Sequence, residues 1–174
     1  MTNFAENRHS ENYLYPAAFK LTLSKIPGVV YFCQSVNIPT VTVSEITTNN
    51  PKSGRTLKIP SQNLQFGDLT VKFLIEESMN NWLEIYNWMQ SLRVVDDWQT
   101  MRHFAARSTG NDYQITDGAL TVLTSANNPI KVFKLYNIFP KELSAVDFNS
   151  GTDGSEAISA TAVFALEYFT VETP

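Results

Sequence analysis

A mainly β (α+β) fold, an antiparallel two-sheet sandwich or barrel with one flanking amphipathic helix and a long protruding hairpin, is predicted by three features of this 174-residue sequence. Period-two alternation recurs in short segments separated by Pro, Gly and Asn turn signals. One stretch, "MNNWLEIYNWMQSL" from Met79 to Leu92, has helical spacing instead. A polar run at 47–60 carries turn residues in its middle and strand-like segments on both sides. The length fits a single domain, 1–174, burying roughly 70% of the surface of its unfolded chain.

In "AFKLTLS" (18–24) Phe19, Leu21 and Leu23 alternate with Lys20, Thr22 and Ser24, the pattern of a half-buried strand. "IPG" at 26–28 is turn chemistry, because Pro presets φ and Gly reaches positive φ. "VVYFCQSVNI" reads as a second strand, apolar on both faces and so belonging to a covered sheet. Pro39 interrupts it and "TVTVSEI" resumes as a third strand. Next, "TVSEITT" and "RTLKI" flank Asn49-Asn50-Pro51 and Ser53-Gly54, giving a hairpin over about 44–60. Two strands have too little core to stand alone in water, so something else packs on this hairpin.

"LTVKFLI" (69–75) alternates again, and Ser78 is placed to cap the helix that follows. At 100° per residue Met79, Trp82, Leu83, Ile85, Tyr86, Met89 and Leu92 share one side, about 180° wide. Asn80, Glu84, Asn87, Gln90 and Ser91 take the other, and Trp88 sits at the edge, left over for a partner. The segment 94–118 is too polar for a strand and too long for a link; it reads as a partly helical excursion that carries contacts. "ALTVLTS" is a strand ended by Asn127-Asn128-Pro129, and "IKVFKLYNIFP" is a strand stopped by Pro140. "LSAVDFN" is a short strand, "SGTDG" (150–154) a hairpin loop, and "EAISATAVFALEYFTVE" one long final strand. The expectation is about eight strands and one main helix.

The composition, 43% hydrophobic and 17% charged, is that of a folded chain. A net charge of −4, with no two basic residues adjacent, argues against a protein that grips nucleic-acid phosphates. The one cysteine, Cys33, reads as a small buried hydrophobe. His9 and His103 have no ligand partners at zinc spacing. The pairs Glu76-Glu77 and Asp96-Asp97 point their carboxylates apart or into solvent. "SGTDG" lacks the lysine and the strand–loop–helix setting of a phosphate loop. No catalytic, cofactor or metal constellation is present, so the sequence predicts a non-enzyme that works through surfaces. "MTNFAENRHSENYL" has no apolar core of a signal peptide, and no eighteen-residue apolar run exists; cytoplasmic folding and no membrane contact are expected. The final strand is apolar on both faces, a hazard unless its edge is paired or closed, as in a ring of subunits.

"FKLTLSKIPGVVYFCQSVNIP", "FGDLTVKFLIEESMNNWLEIYNWMQSL", "FPKELSAVDFNSG" and "ISATAVFALEYFTVE" resemble, in order and spacing, the tail tube proteins of contractile-tailed (T4-like) bacteriophages, over roughly 18–92 and 119–172. Segment 94–118 is more elaborate than in the plainest of them. The resemblance implies a structural virion protein, assembled in the host cytoplasm, whose hexameric rings stack into the tube for DNA ejection. Its partners would be further copies of itself, the tail sheath, the baseplate initiator and the tail terminator. Genomic DNA and the tape measure protein would pass through the lumen without specific binding. The same resemblance assigns Asn49, Asn50, Lys52 and Arg55 to inter-ring contact and Trp82, Tyr86 and Trp88 to support between subunits. Glu45, Asp147, Glu156 and Glu167 are candidate lumen acids, since six copies at −4 carry about −24 and repel DNA. Three alternatives stay open. They are an initiator or completion ring of the same fold, a type VI secretion or pyocin-like tube, and a ligand-binding barrel with Trp82, Tyr86 and Trp88 in its pocket.

Overall fold

Strand β1 (Phe19–Leu23) buries Leu21 and Leu23 and exposes Lys20 and Thr22, as its alternation dictates. The computed structural model describes residues 14, 17–49, 56–92, 115–148 and 157–174. After β1 come α1 (Pro27–Tyr31), β2 (Cys33–Val36), β3 (Val41–Asn49), β4 (Thr56–Phe66), β5 (Leu69–Leu74) and α2 (Asn80–Leu92). The described chain ends with β6 (Thr116–Leu123), β7 (Pro129–Leu143), β8 (Ser159–Ala165) and β9 (Tyr168–Glu172). Segment 93–114 lies outside the described residues; 116–118, expected in the excursion, already belong to β6.

The strands pair antiparallel in the order β1-β6-β7-β8-β5-β2, with β9 also on β7, while β3 and β4 pair only with each other. Strand β7 is the hinge of the body. Its first part pairs with β6 on one edge and β9 on the other, and Phe139–Leu143 pairs with β8. The handover occurs beside Asn137, a residue at φ 53, whose N–H is held by Asp117 Oδ1 at 3.0 Å and whose amide reaches Glu167. Asn tolerates this left-handed backbone better than any β-branched residue would. The result is two sheets, β1-β6-β7-β9 and β7-β8-β5-β2, sharing one bent strand. Leu21, Leu23, Leu120 and Leu135 from the first meet Leu69, Val71, Phe73, Ala160, Ala162 and Phe164 from the second in one core. Ile26 just before α1, Val29 of α1, and Ile85 and Trp88 of α2 complete it.

Several expectations are corrected. The stretch after Ile26 opens with helix α1, not a strand: Pro27 sits at the start, where its fixed φ suits a helix and its missing N–H costs nothing. Gly28 permits the close approach of this helix to α2, since a Cβ there would stand 3.3 Å from Asn81 Cβ. Pro140 does not stop its strand. It lies within β7 opposite Phe164, at a register shift before Glu142, where the ladder does not need its N–H. Residues 144–148 form no strand, although Ser144 N–H still donates to Thr161 O at 2.8 Å. The long final strand is divided at Leu166–Glu167 into β8 and β9, one for each sheet.

Ser78 is not the helix cap. Met79, at φ 55, offers its carbonyl to Leu83 N–H at 3.0 Å, and Ser78 Oγ donates to Glu76 Oε1 at 2.8 Å. The inward stripe of α2 is Asn81, Ile85, Trp88 and Ser91, not the stripe centred on Trp82 and Tyr86. Asn81 sets this rotation. Its amide donates to Leu74 O at 2.7 Å, and its oxygen accepts Trp82 N–H at 2.9 Å and Glu76 N–H at 3.3 Å. Those bonds fasten the helix to the end of β5, and a buried polar group finds partners as it must. Trp88, expected to be free for a partner, is only 4% exposed, packs 6.0 Å from the Phe164 ring, and lies under Lys25 Nζ at 5.2 Å.

Candidate assembly surfaces

The longest unsupported feature is the β3–β4 hairpin. Its ladder runs from Val41↔Phe66 to Asn49↔Thr56, longer than the expected 44–60, with an irregularity between Val43 and Glu45. The base is clamped. Gly67 N–H donates to Thr40 O at 2.8 Å, and a Cβ on Gly67 would run into the Thr40 hydroxyl. Asn37 brackets the next step, donating from Nδ2 to Asp68 O at 3.2 Å and accepting Thr70 N–H at 2.5 Å. Lys141 closes on Asp68 at 2.7 Å, which raises the lysine pKa through that hydrogen bond and charge. Phe66 meets Phe169 of β9 edge-on at 5.1 Å.

Beyond the base the hairpin is amphipathic. Ile46 faces Ile59 and Thr48 faces Leu57 in register, and directly paired residues share a face. Ile46, Ile59 and Leu57 are 55%, 44% and 59% exposed. The opposite face carries Glu45 and Lys58, paired at 2.8 Å with both side chains more than half exposed, a contact worth little. A ladder with a bare aliphatic face is stable in water only if another surface covers it.

A second apolar surface is the outer side of α2. Leu83 and Tyr86 are each 41% exposed, and Trp82 stacks on Tyr86 at 5.4 Å and 12°. The Trp82 indole N–H is buried and finds no acceptor among the described residues. The third is a groove between β1 and β2, about 630 Å³ in volume, with Phe19, Leu21, Val30, Cys33 and Val36 among its walls. Cys33 is half-buried there, not fully buried as expected; burial raises its thiol pKa while its bond to Ser35 O opposes the shift.

The residues singled out from the sequence do not converge on one place. Asn49 lies at the far end of β3, whereas Asn50, Lys52, Arg55 and Glu156 are outside the described residues. Glu45 is on the hairpin beside Lys58, Asp147 is exposed past the end of β7, and Glu167 sits at the β8–β9 break holding Asn137. Sequence reading missed Ile46, Leu57 and Ile59; their alternation with polar neighbours on both strands was the available signal. Among the described residues no helix is long and apolar enough to cross a membrane, and no group of three or more His, Cys, Asp and Glu is placed to hold a metal.

A clamped hairpin on a two-sheet body with one flanking amphipathic helix matches known proteins. Residues 11–172 match the phage tail tube protein family. The chain belongs to that family. The chain is similar, at 28% identity over 144 residues, to the tail tube terminator protein of Enterobacteria phage T4, with 80% of this chain and 76% of the relative covered. In fold it is similar to the tube-terminating cap of the anti-feeding prophage, with TM-score 0.61, 16% identity and full coverage of both chains. It is similar as well to a chain of an extracellular contractile injection system sheath-tube complex in the extended state, with TM-score 0.60, 13% identity and 94% coverage of each chain. The mainly β, antiparallel tail tube fold expected from the sequence is therefore the fold this chain has.

Proposed function

We propose that this tail tube family member is a ring-forming subunit at the end of a contractile tail tube, a terminator or completion ring in the virion. The observation that carries the ring reading is the β3–β4 hairpin, clamped at its base and bare along Ile46, Leu57 and Ile59. Such a feature is built for a surface outside its own chain. Covering the remaining half of three such side chains stabilises a contact by roughly 3 kcal/mol. Repetition around a ring makes contacts of that size sufficient, because each one formed holds the next in place. The end position is favoured over the main tube by the similarity to the T4 terminator.

The second reading is the main tube protein, favoured by the fold shared with a chain of a sheath-tube complex. In both readings six copies form the ring, the hairpin with Asn49, Asn50, Lys52 and Arg55 reaches the adjoining ring, and Leu83, Trp82 and Tyr86 support neighbouring subunits. The sheath surrounds the tube, and DNA and the tape measure protein pass through a net acidic lumen. Glu45 is the weakest of the lumen acids, being neutralised by Lys58. Asp147, Glu156 and Glu167 stay in the proposal. The test is polymer length by electron microscopy of the purified protein. Single or paired rings that do not elongate support the terminator; indefinite stacks support the main tube and overturn the end position.

A further inference from the structure

The polar ties at the root of the hairpin all run to one sheet. Asn37 follows β2, Asp68 precedes β5, Thr70 lies in β5, and Lys141 is on the second part of β7. Phe66 instead reaches the other sheet. Its ring meets Phe169 of β9 at 5.1 Å, and Phe169 meets Phe133 of β7 at 5.8 Å, both edge-on. The hairpin therefore continues sheet β7-β8-β5-β2 and leans on the last strand of sheet β1-β6-β7-β9. A two-stranded ladder has little stability of its own, so its direction is set by these supports.

The strand it leans on is lightly held. β9 has five residues, and among the described residues it is laddered to β7 alone. Tyr168, Thr170, Val171 and Glu172 are all exposed. Its C-terminal end is tied by Lys134 to Glu172 at 2.8 Å and by Lys131 Nζ to Thr173 Oγ1 at 2.6 Å, exposed contacts that contribute little. Short edge strands of this kind open locally at a fraction of the free energy of global unfolding. We propose that β9 is a latch. Docked on β7, it holds the hairpin in its direction through Phe169 and Phe66; released, it frees the hairpin to swing about Thr40 and Gly67. Such coupling is reciprocal, so whatever steadies β9 steadies the hairpin by the same factor. The side of β9 away from β7 is a backbone edge that accepts one more strand. On the ring reading above, on which this consequence rests, a neighbouring copy seated on that edge fixes the hairpin from the body end. A subunit then aims its hairpin firmly only once its ring has closed. A terminal ring gains from that order, since free subunits present no fixed hairpin to one another.

Hydrogen–deuterium exchange of the full chain as a monomer tests the latch. It is read by mass spectrometry on peptides from the hairpin (41–49 and 56–66) and from β9 (168–172), with β5 and β8 as the control for folding. Phe169→Ala should speed exchange in the hairpin, and Phe66→Ala should speed exchange in β9, each by roughly fivefold, the strength of one aromatic pair. In a Phe66→Ala background, adding Phe169→Ala should leave the hairpin rate where it was, because the pair is already broken. A hairpin unchanged by Phe169→Ala, or a β9 unchanged by Phe66→Ala, overturns the latch and leaves the hairpin held by its polar ties alone. If Phe169→Ala also loosens β5 and β8, Phe169→Leu takes its place, since it breaks the ring pair while keeping an apolar side chain against Phe133, and the same outcomes decide. A chain that forms no rings in the microscope overturns the ring reading but not the latch, which the monomer alone reveals.

Discussion

Replacing Trp88 by Ala tests where helix α2 keeps its energy. The indole is 4% exposed, packs on Phe164 and supports Lys25, whose ammonium also donates to Ile115 O at 2.6 Å. Removing a buried tryptophan costs about 3–5 kcal/mol in lost transfer energy and cavity. The lysine over its face adds about 0.5–2 kcal/mol of cation–π attraction, part of which is already within that range. In a chain of this size each kcal/mol moves the midpoint by about 2–4 °C, so Trp88→Ala should melt roughly 12 °C lower. Leu83→Ala, on the outer face of the same helix, should cost under about 1 kcal/mol. The assay is thermal unfolding followed by circular dichroism, at a concentration where sedimentation shows all variants monomeric, because assembly would itself raise the midpoint. A Trp88→Ala monomer melting within about 2 °C of the parent would refute the burial argument and return Trp88 to the partner-facing role that its place on the helical wheel suggests.

Asn81→Leu should lower stability by about 2–4 kcal/mol, read from the urea midpoint, because Leu74 O and Glu76 N–H lose their buried partner. Asn137→Gly should stay within about 0.5 kcal/mol of the parent, since Gly accepts the left-handed backbone, whereas Asn137→Val should cost about 1–3 kcal/mol by the same measurement. Burial raises the Cys33 pKa above the ordinary thiol value, so the thiol stays protonated across neutral pH. Its contribution to stability is complete below that unfolded-state value and fades as pH rises through the higher folded one. Iodoacetamide labelling of the monomer at pH 8 should therefore be slower than that of the unfolded chain at the same pH, and its rise with pH should lag that of the unfolded chain.

The strands were legible where one face is wet and the other dry: β1, β5 and β8 follow their alternation, and the hairpin followed from turn residues between strand-like flanks. Where both faces are apolar the period carries no information, and Val29 to Tyr31 read as strand although Pro27 starts a helix. Helix α2 was legible as a helix but not in its rotation. Its apolar arc is wider than the surface it packs on, and the choice is made by Asn81, a polar residue that no hydrophobic pattern selects. The bend in β7 escaped for a similar reason: it is held by Asp117, which accepts the Asn137 backbone N–H from twenty residues away in the chain. The hairpin was visible as strand-like flanks around turn residues, whereas the groove between β1 and β2 needs those strands at opposite ends of the strand order.

The central claim is that this tail tube family member closes into rings of its own copies. Sedimentation equilibrium of the purified chain, with negative-stain images of the same sample, tests it most directly. The account predicts a species of six 19.6 kDa chains with a central channel, alone or in short stacks. A single 19.6 kDa species that persists at high concentration, with no rings in the images, would contradict it.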